Sequence, residues 1–269
     1  MIFYIIYTKR VGNMEVKILG STASIPDVGN DCPCFLVNEE FLIDCGLDVL
    51  SDLRETNCDV SKIRYIIFTH MHHDHYLGLA GLLFYFIHSK VLDISKLTII
   101  GPKDNLCEVL EKTYGYLQLK KHYPEVKLPK VTELSGNEKF SLSDCDFETK
   151  TGNHSIFAIK YRITEKSTGS SLAVAGDTSF DPSDSEFFKA CDLLIHDATL
   201  SVCDKEILNH RPSGHSTIFE AVKAAERADI KALIPMHMTV KRAEEAVEAV
   251  KGLTDVKVYA PVRGETYKF

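Results

Sequence analysis

Short apolar runs, each bounded by polar or turn-forming residues, recur along the whole chain and predict β-strands. The predicted strands cover residues 16–19, 35–37, 41–44, 62–68, 97–100, 131–134, 140–142, 147–151, 156–163, 171–175, 193–196 and 232–234. Apolar residues at helical spacing predict helices over residues 47–55, 77–87, 104–116, 217–227 and 240–250. The pair Gly101-Pro102 is expected to end the strand before it, because both residues favour turns.

The order of these elements indicates the fold class. Each half of the chain begins with hairpins and continues with alternating strands and helices. The runs at 65–68 and 193–195 are apolar at consecutive positions, which is typical of strands covered on both faces. We therefore predict an α/β protein in which two β-sheets pack together, with helices on both outer faces. Residues 14–269 are predicted to form this single domain, and residues 1–13 either an N-terminal extension or an extra edge strand.

Composition narrows the choice of partners and compartment. The net charge of −7 argues against a broad basic surface for nucleic acid. No apolar run approaches the roughly 20 residues of a membrane span, and the short apolar N-terminus lacks the features of a signal peptide. The eight cysteines include no Cys-x-x-Cys pair, so we expect reduced thiols in a cytoplasmic protein. A homodimer is expected only as the commonest form of homo-oligomer.

Candidate chemistry is concentrated at residues 70–75, which read His-Met-His-His-Asp-His and follow an apolar strand. Imidazole and carboxylate groups together suit zinc and similar metals. A site without thiolates at the end of a strand is more typical of a catalytic centre open to water than of a closed structural zinc site. The alternative is a solvated polar loop that happens to be rich in histidine.

Three further residues follow buried strands in the same way: His154, Asp177 and His237. Each of them alone would be interpreted as a hydrogen-bonded turn residue. Functional side chains collect at the ends of strands in layered α/β folds. Together with the cluster at 70–75, these residues therefore predict a metal site.

The pattern His-x-His-x-Asp-His, followed by a histidine, Gly-Asp-Thr and a late histidine, resembles the metallo-β-lactamase superfamily from Glu15 onward. The resemblance implies a four-layer αββα sandwich with two divalent metal ions, of which zinc is the default and manganese or iron would also suit the donors. It implies that the first ion is held by His70, His72 and His154, the second by Asp74, His75 and His237, and that Asp177 bridges both.

Two more segments are similar to motifs of the tRNase Z-like (ribonuclease Z-like) branch of that superfamily. Residues 196–199, His-Asp-Ala-Thr, resemble its His-Glu-Ala-Thr motif with Asp197 in place of glutamate, and residues 215–217 resemble its His-Ser-Thr motif. Positions 155–176, the twenty-two residues between His154 and Asp177, leave no room for the long tRNA-gripping arm of the short-form enzymes. We therefore expect a small phosphodiester or a short nucleic acid as substrate.

These motifs predict a hydrolase of the phosphodiesterase class, in which a hydroxide between two metal ions attacks phosphorus. Asp74 would orient the hydroxide while it binds the second ion. A protonated His215 at the start of a helix would stabilise charge on a phosphoryl oxygen. His196 and Asp197 would form a pair that orients His215 or a metal ligand, or would merely end a strand and cap the following turn. The alternative functions are hydrolysis of a thioester or lactone, and metal sensing without hydrolysis.

Overall fold

Two β-sheets lie face to face in the protein, and helices cover the outer face of each sheet. The computed structural model describes residues 14–202 and 214–269. Over these ranges the predicted four-layer α/β sandwich is confirmed. The extension or edge strand predicted for residues 1–13 lies outside the described residues. Within the same ranges, no helix is long and apolar enough to cross a bilayer.

The strands are β1 (Glu15–Gly20), β2 (Cys34–Val37), β3 (Phe41–Ile43), β4 (Tyr65–Ile67), β5 (Thr98–Pro102), β6 (Lys130–Leu134), β7 (Lys139–Leu142), β8 (Cys145–Thr151), β9 (Ile159–Glu165), β10 (Ser171–Val174), β11 (Leu193–Asp197), β12 (Ala232–Met236), β13 (Lys257–Val258) and β14 (Thr266–Lys268). The helices are α1 (Val49–Glu55), α2 (His73–Tyr76), α3 (Leu79–Ser89), α4 (Leu106–Tyr116), α5 (Leu119–His122), α6 (Asp184–Phe187), α7 (Ile218–Arg227) and α8 (Val240–Val250). Short 3-10 turns cover Val60–Lys62 and Ile94–Lys96.

The first sheet has the strand order β14-β1-β2-β3-β4-β5-β6, and the second has the order β13-β12-β11-β10-β9-β8-β7. In the first sheet β3, β4, β5 and β6 are parallel to one another. In the second sheet β10, β11, β12 and β13 are parallel, and β8 shares their direction because β9 is antiparallel to both β8 and β10. The candidate site lies at the carboxyl ends of these strands. Its residues are carried by the segments that follow β4, β8, β10, β11 and β12.

Each central strand is apolar on both faces because each face meets a different core. In β4, Ile66 packs against the helices outside the first sheet, whereas Ile67 packs between the sheets. In β11, Leu194 faces the helices outside the second sheet, whereas Ile195 faces the other sheet. Successive side chains of a strand point to opposite faces, so the consecutive apolar residues of the sequence are required by this layering.

The structure differs from the predicted elements at several boundaries. Gly101 and Pro102 remain paired with β6 instead of ending β5. Pro102 is the last residue of the strand, where its missing N–H interrupts no further ladder bond. The helix predicted over 77–87 corresponds to α3, which begins at Leu79, and a separate one-turn helix, α2, precedes it. The short elements α5, α6, β13 and β14 were not predicted. Seven of the eight cysteines lie within the described residues, and these seven form no disulfide with one another.

Candidate metal centre

Four of the predicted ligands converge at one point between the two sheets. The ligand atoms of His70, His72, His154 and Asp177 all lie within 4.8 Å of one another. His72 Nδ1 is 3.1 Å from His70 Nε2 and 3.0 Å from His154 Nε2. We call His70, His72 and His154 the first donor group. It contains three imidazole nitrogens aimed at a common centre, as zinc-type ions require.

The sheets bring this group together through a direct contact between the residues that follow β4 and the beginning of β9. His70 forms an antiparallel bridge with Ala158, and the Ile159 N–H donates to the Thr69 carbonyl over 2.8 Å. Tyr161 Oη donates to the Phe68 carbonyl over 2.7 Å. The end of β4 is thereby fixed beside the loop that carries His154.

The second donor group, Asp74, His75 and His237, lies on the other side of Asp177. The Nε2 atom of His237 is 3.0 Å from Asp74 Oδ2 and 3.2 Å from Asp177 Oδ2. The Nε2 atom of His75 is 3.6 Å from each of the same two oxygens. Asp177 Oδ2 is also 3.7 Å from His70 Nε2, so this one oxygen faces both groups.

The unpartnered ring nitrogen of His75 tests whether these residues fit a bound cation. His75 Nε2 is buried and has no hydrogen-bond partner among the described residues, although it points at two carboxylates. A buried polar atom without a partner is costly. A cation between His75 and the carboxylates would satisfy the nitrogen and the charges together, so the donor set fits the two-metal arrangement that the resemblance implies.

The ring nitrogens that face away from the centre are also held. The remote nitrogens and their partners are His70 Nδ1 with Thr69 Oγ1 at 3.1 Å, His75 Nδ1 with Asp44 Oδ2 at 2.8 Å, His154 Nδ1 with the Gly214 carbonyl at 3.0 Å, and His237 Nδ1 with Thr199 Oγ1 at 2.7 Å. Such contacts fix the orientation and tautomer of ligand histidines. His72 differs, because its Nδ1 faces the centre.

Asp44 was missed by the sequence analysis. Its Oδ2 accepts from Thr69 Oγ1 at 2.8 Å as well as from His75, and its Oδ1 accepts from the Thr69 N–H at 2.8 Å. Asp44 follows β3, which pairs in parallel with β4, so the two strands deliver Asp44 and Thr69 to the same edge. A polar residue at the end of an apolar run was the available signal, as it was for Asp177.

Burial governs the protonation of the first donor group. It lowers the pKa values of His70, His72 and His154, and neighbouring imidazoles lower those of His70 and His72 further. These rings are therefore held neutral, which is the form that binds metals. Burial by itself would raise the pKa of Asp177, but His237, His75 and His70 outweigh it and hold the carboxyl well below its usual range.

His215 and Asp197 lie beside the donor groups. His215 Nδ1 is 2.7 Å from Asp197 Oδ2, and the His215 ring lies between those of His154 and His237, with centroids at 5.0 and 5.3 Å. Burial lowers the pKa of His215, but the hydrogen bond and charge of Asp197 outweigh it and raise the pKa overall. The side chain is 16% exposed, so a protonated imidazole can reach a bound substrate.

The structure does not bring His196 into this arrangement. His196 alternates with Ile195 and Asp197 along β11, so its ring faces the outer helices, on the same side as Leu194. His196 Nδ1 is 2.7 Å from the Asp197 carbonyl, and its pKa is lowered by burial. The proposed pair of His196 and Asp197 side chains is therefore not formed, and of these two residues it is Asp197 that contacts His215.

The surroundings of His215 also depend on Gly214 and on the start of α7. Gly214 has a φ of +69°, and a Cβ on it would lie 2.6 Å from the Cα of His154. The helix begins at Ile218, with Thr217 and Glu220 forming a capping box. The prediction of a helix start just after His215 is thus close to the structure, although two residues separate His215 from the first helical residue.

The comparisons with known proteins agree with this geometry. A family model described as the beta-lactamase superfamily domain matches residues 39–238. The chain belongs to this family. Ribonuclease Z from Oceanobacillus iheyensis is a superfamily relative, with 26% identity over 88% of this chain and 93% of that protein. The predicted resemblance to ribonuclease Z-like members of the superfamily is confirmed.

Solved structures of the superfamily share the fold. The metallo-β-lactamase fold protein YhfI from Bacillus subtilis aligns with a TM-score of 0.77 and 20% identity, covering 96% of this chain and all of that one. Human tRNase Z, short form, aligns with a TM-score of 0.74 and 21% identity, covering 94% of this chain and 98% of that one. The family assignment supports a hydrolase that depends on divalent metal ions.

Proposed function

We propose that the protein is a dinuclear metal-dependent phosphodiesterase. The observation that carries this proposal is the placement of Asp177 between two groups of metal-type donors, with the His215–Asp197 pair beside them. His70, His72 and His154 would hold one ion, and Asp74, His75 and His237 the other, with Asp177 shared. Zinc suits these nitrogen and oxygen donors best, and manganese or iron would also be accepted.

Two bound divalent ions would supply a nucleophile at neutral pH, by lowering the pKa of coordinated water, and would stabilise negative charge on phosphoryl oxygens. Asp74 Oδ2 lies 3.0 Å from His237 Nε2, and this carboxylate can orient the nucleophile. In its protonated form His215 can donate to a phosphoryl or leaving-group oxygen. Asp197 keeps this proton-donating ring in place and favours its charged form.

We infer a small phosphodiester or the end of a short nucleic acid as substrate. The segment between His154 and Asp177 is occupied by the β9–β10 hairpin alone, and the chain carries a net charge of −7. A long basic surface for gripping a folded RNA is therefore not expected. The relatives named ribonuclease Z support cleavage of a phosphodiester bond. A homodimer and a cytoplasmic location stay predictions.

The test is hydrolysis of bis-p-nitrophenyl phosphate by the wild type and by His215→Ala, each with its metal content measured. Loss of a positioned proton donor lowers turnover by about 10²–10⁴-fold. We expect His215→Ala to keep two ions and lose turnover to this extent. His73→Ala is the matched control, because His73 belongs to the same histidine cluster but is exposed, and it should behave as the wild type.

A wild type that holds two ions and leaves the reporter intact would overturn the proposal. Thioesters and lactones would then be tested as substrates of the same donor groups. Equal turnover by His215→Ala and the wild type would remove His215 from the mechanism.

A further inference from the structure

We propose that the Thr199 hydroxyl is a positioning group that joins the second donor group to the His215–Asp197 pair. This inference rests on the proposed function. Thr199 Oγ1 is 2.6 Å from Asp197 Oδ1, 2.7 Å from His237 Nδ1 and 3.1 Å from His215 Nδ1. A single hydroxyl therefore contacts a candidate metal ligand and both members of the proton-donating pair.

The direction of each hydrogen bond follows from the chemistry of the groups. A hydroxyl has one proton to donate and two lone pairs, and a carboxylate can only accept. Thr199 therefore donates to Asp197 and accepts from the Nδ1–H of His237. This arrangement leaves His237 Nε2 without a proton, facing Asp74 Oδ2 at 3.0 Å and Asp177 Oδ2 at 3.2 Å, as a metal ligand requires.

The carboxylate that accepts the hydrogen bond from the Thr199 hydroxyl is itself held by further hydrogen bonds. Asp197 is fully buried, and it also accepts from the backbone N–H groups of Thr178 at 3.1 Å and Thr199 at 2.7 Å. His215 approaches Asp197 Oδ2 at 2.7 Å, closer than it approaches Thr199. The Nδ1 proton of His215 is therefore directed to Asp197, while the Thr199 hydroxyl accepts from His237.

The sheet places Thr199 at this junction. Asp197 pairs with Met236 across β11 and β12, and the Ala198 N–H continues the pairing by donating to the Met236 carbonyl over 3.0 Å. Thr199 and His237 are each one residue beyond this contact, in the segments that follow these neighbouring strands. The register of two parallel strands thus sets the distance between the hydroxyl and the ring.

The test compares Thr199→Val, which removes the hydroxyl at nearly constant shape, with Thr199→Ser, which keeps it. Removing a partner of a ligand histidine lowers metal affinity by about 10–100-fold. We expect this loss for one of the two zinc ions in Thr199→Val, measured by competition with a chromophoric chelator, and near wild-type affinity in Thr199→Ser. His237→Ala identifies the affected ion, because it should weaken the same one.

Thr149→Val is the matched control, since Thr149 is also buried and its hydroxyl forms hydrogen bonds with Glu138, which belongs to neither donor group. It should keep both ions. Wild-type zinc affinity in Thr199→Val, or an equal loss in Thr149→Val, would overturn the inference. Circular dichroism and thermal unfolding establish that each variant is folded, and Thr199→Ala replaces Thr199→Val if the latter does not fold.

A double-variant comparison tests the link to His215. Turnover of bis-p-nitrophenyl phosphate should fall less on adding Thr199→Val to His215→Ala than on adding it to the wild type, because the pair is already broken. An equal fall in both backgrounds would overturn this link. A wild type that binds two ions without turnover would remove the proposed function, while the zinc measurements would still decide the role of Thr199 toward His237.

Discussion

Replacing Asp44 by asparagine should weaken metal binding although Asp44 contacts no metal position itself. The carboxylate of Asp44 accepts from three donors at 2.8 Å: the backbone N–H of Thr69, the hydroxyl of Thr69 and Nδ1 of His75. Asparagine has nearly the same shape but only one accepting oxygen. In either orientation of its amide, an N–H group would face a donor of Thr69 or His75.

The consequence depends on which side loses its acceptor. If the amide nitrogen faces His75, the ring must move its proton to Nε2, the atom that points at Asp74 and Asp177. If the amide nitrogen faces the Thr69 N–H, the chain at the end of β4 is displaced. His70, the next residue, is displaced with it. Loss of such a partner costs about 10–100-fold in metal affinity, or about 1.4–2.8 kcal/mol.

The assay is a zinc titration against a competing chelator, with the number of bound ions counted by native mass spectrometry. Asp48→Asn is the matched control, because Asp48 lies in the same segment but is exposed, and it should bind zinc as the wild type does. If Asp44→Asn binds both ions as tightly as the wild type, the reasoning that partners of the remote ring nitrogens fix the donors is wrong for this protein.

Two further predictions concern Gly214 and Asp52. Gly214→Ala should lose zinc affinity and turnover, because its Cβ would lie 2.6 Å from the His154 Cα. Gly169→Ala should keep both, because Gly169 has a similar backbone strain at φ +82° but open space around the added Cβ. Equal zinc affinity in the two variants would contradict this prediction. Burial, and then the charge of Asp31, raise the pKa of Asp52 to about 7, above its unfolded value near 3.9. The folded state therefore holds this proton more tightly, and the free energy of unfolding should fall as pH rises from about 4 to about 7. In urea denaturation, the free energy of unfolding of Asp52→Asn should lack the part of this fall that Asp52 causes. If the free energies of the variant and the wild type differ by the same amount at about pH 5 and pH 8, the prediction is wrong.

The layered fold was predictable because its signal is local. Consecutive apolar residues in β4 and β11 reveal strands covered on both faces, without knowledge of what covers them. The edge strands β13 and β14 were missed, since they are short and carry few apolar residues. Their pairing with β12 and β1 depends on contacts between distant parts of the chain.

The sequence by itself determined which donors reach the strand ends. Apolar runs predict the buried strands, and His70, Asp177 and His237 each follow the end of such a run, so their places could be read from the sequence. Only the tertiary structure decided how these donors are held. Thr199 contacts His237, and Asp197 rather than His196 contacts His215, because the register of neighbouring strands fixes both the distances and the face of each side chain. A shift of one residue in the register of β11 would exchange the side chains on its two faces. The pattern of residues within one strand does not specify this register.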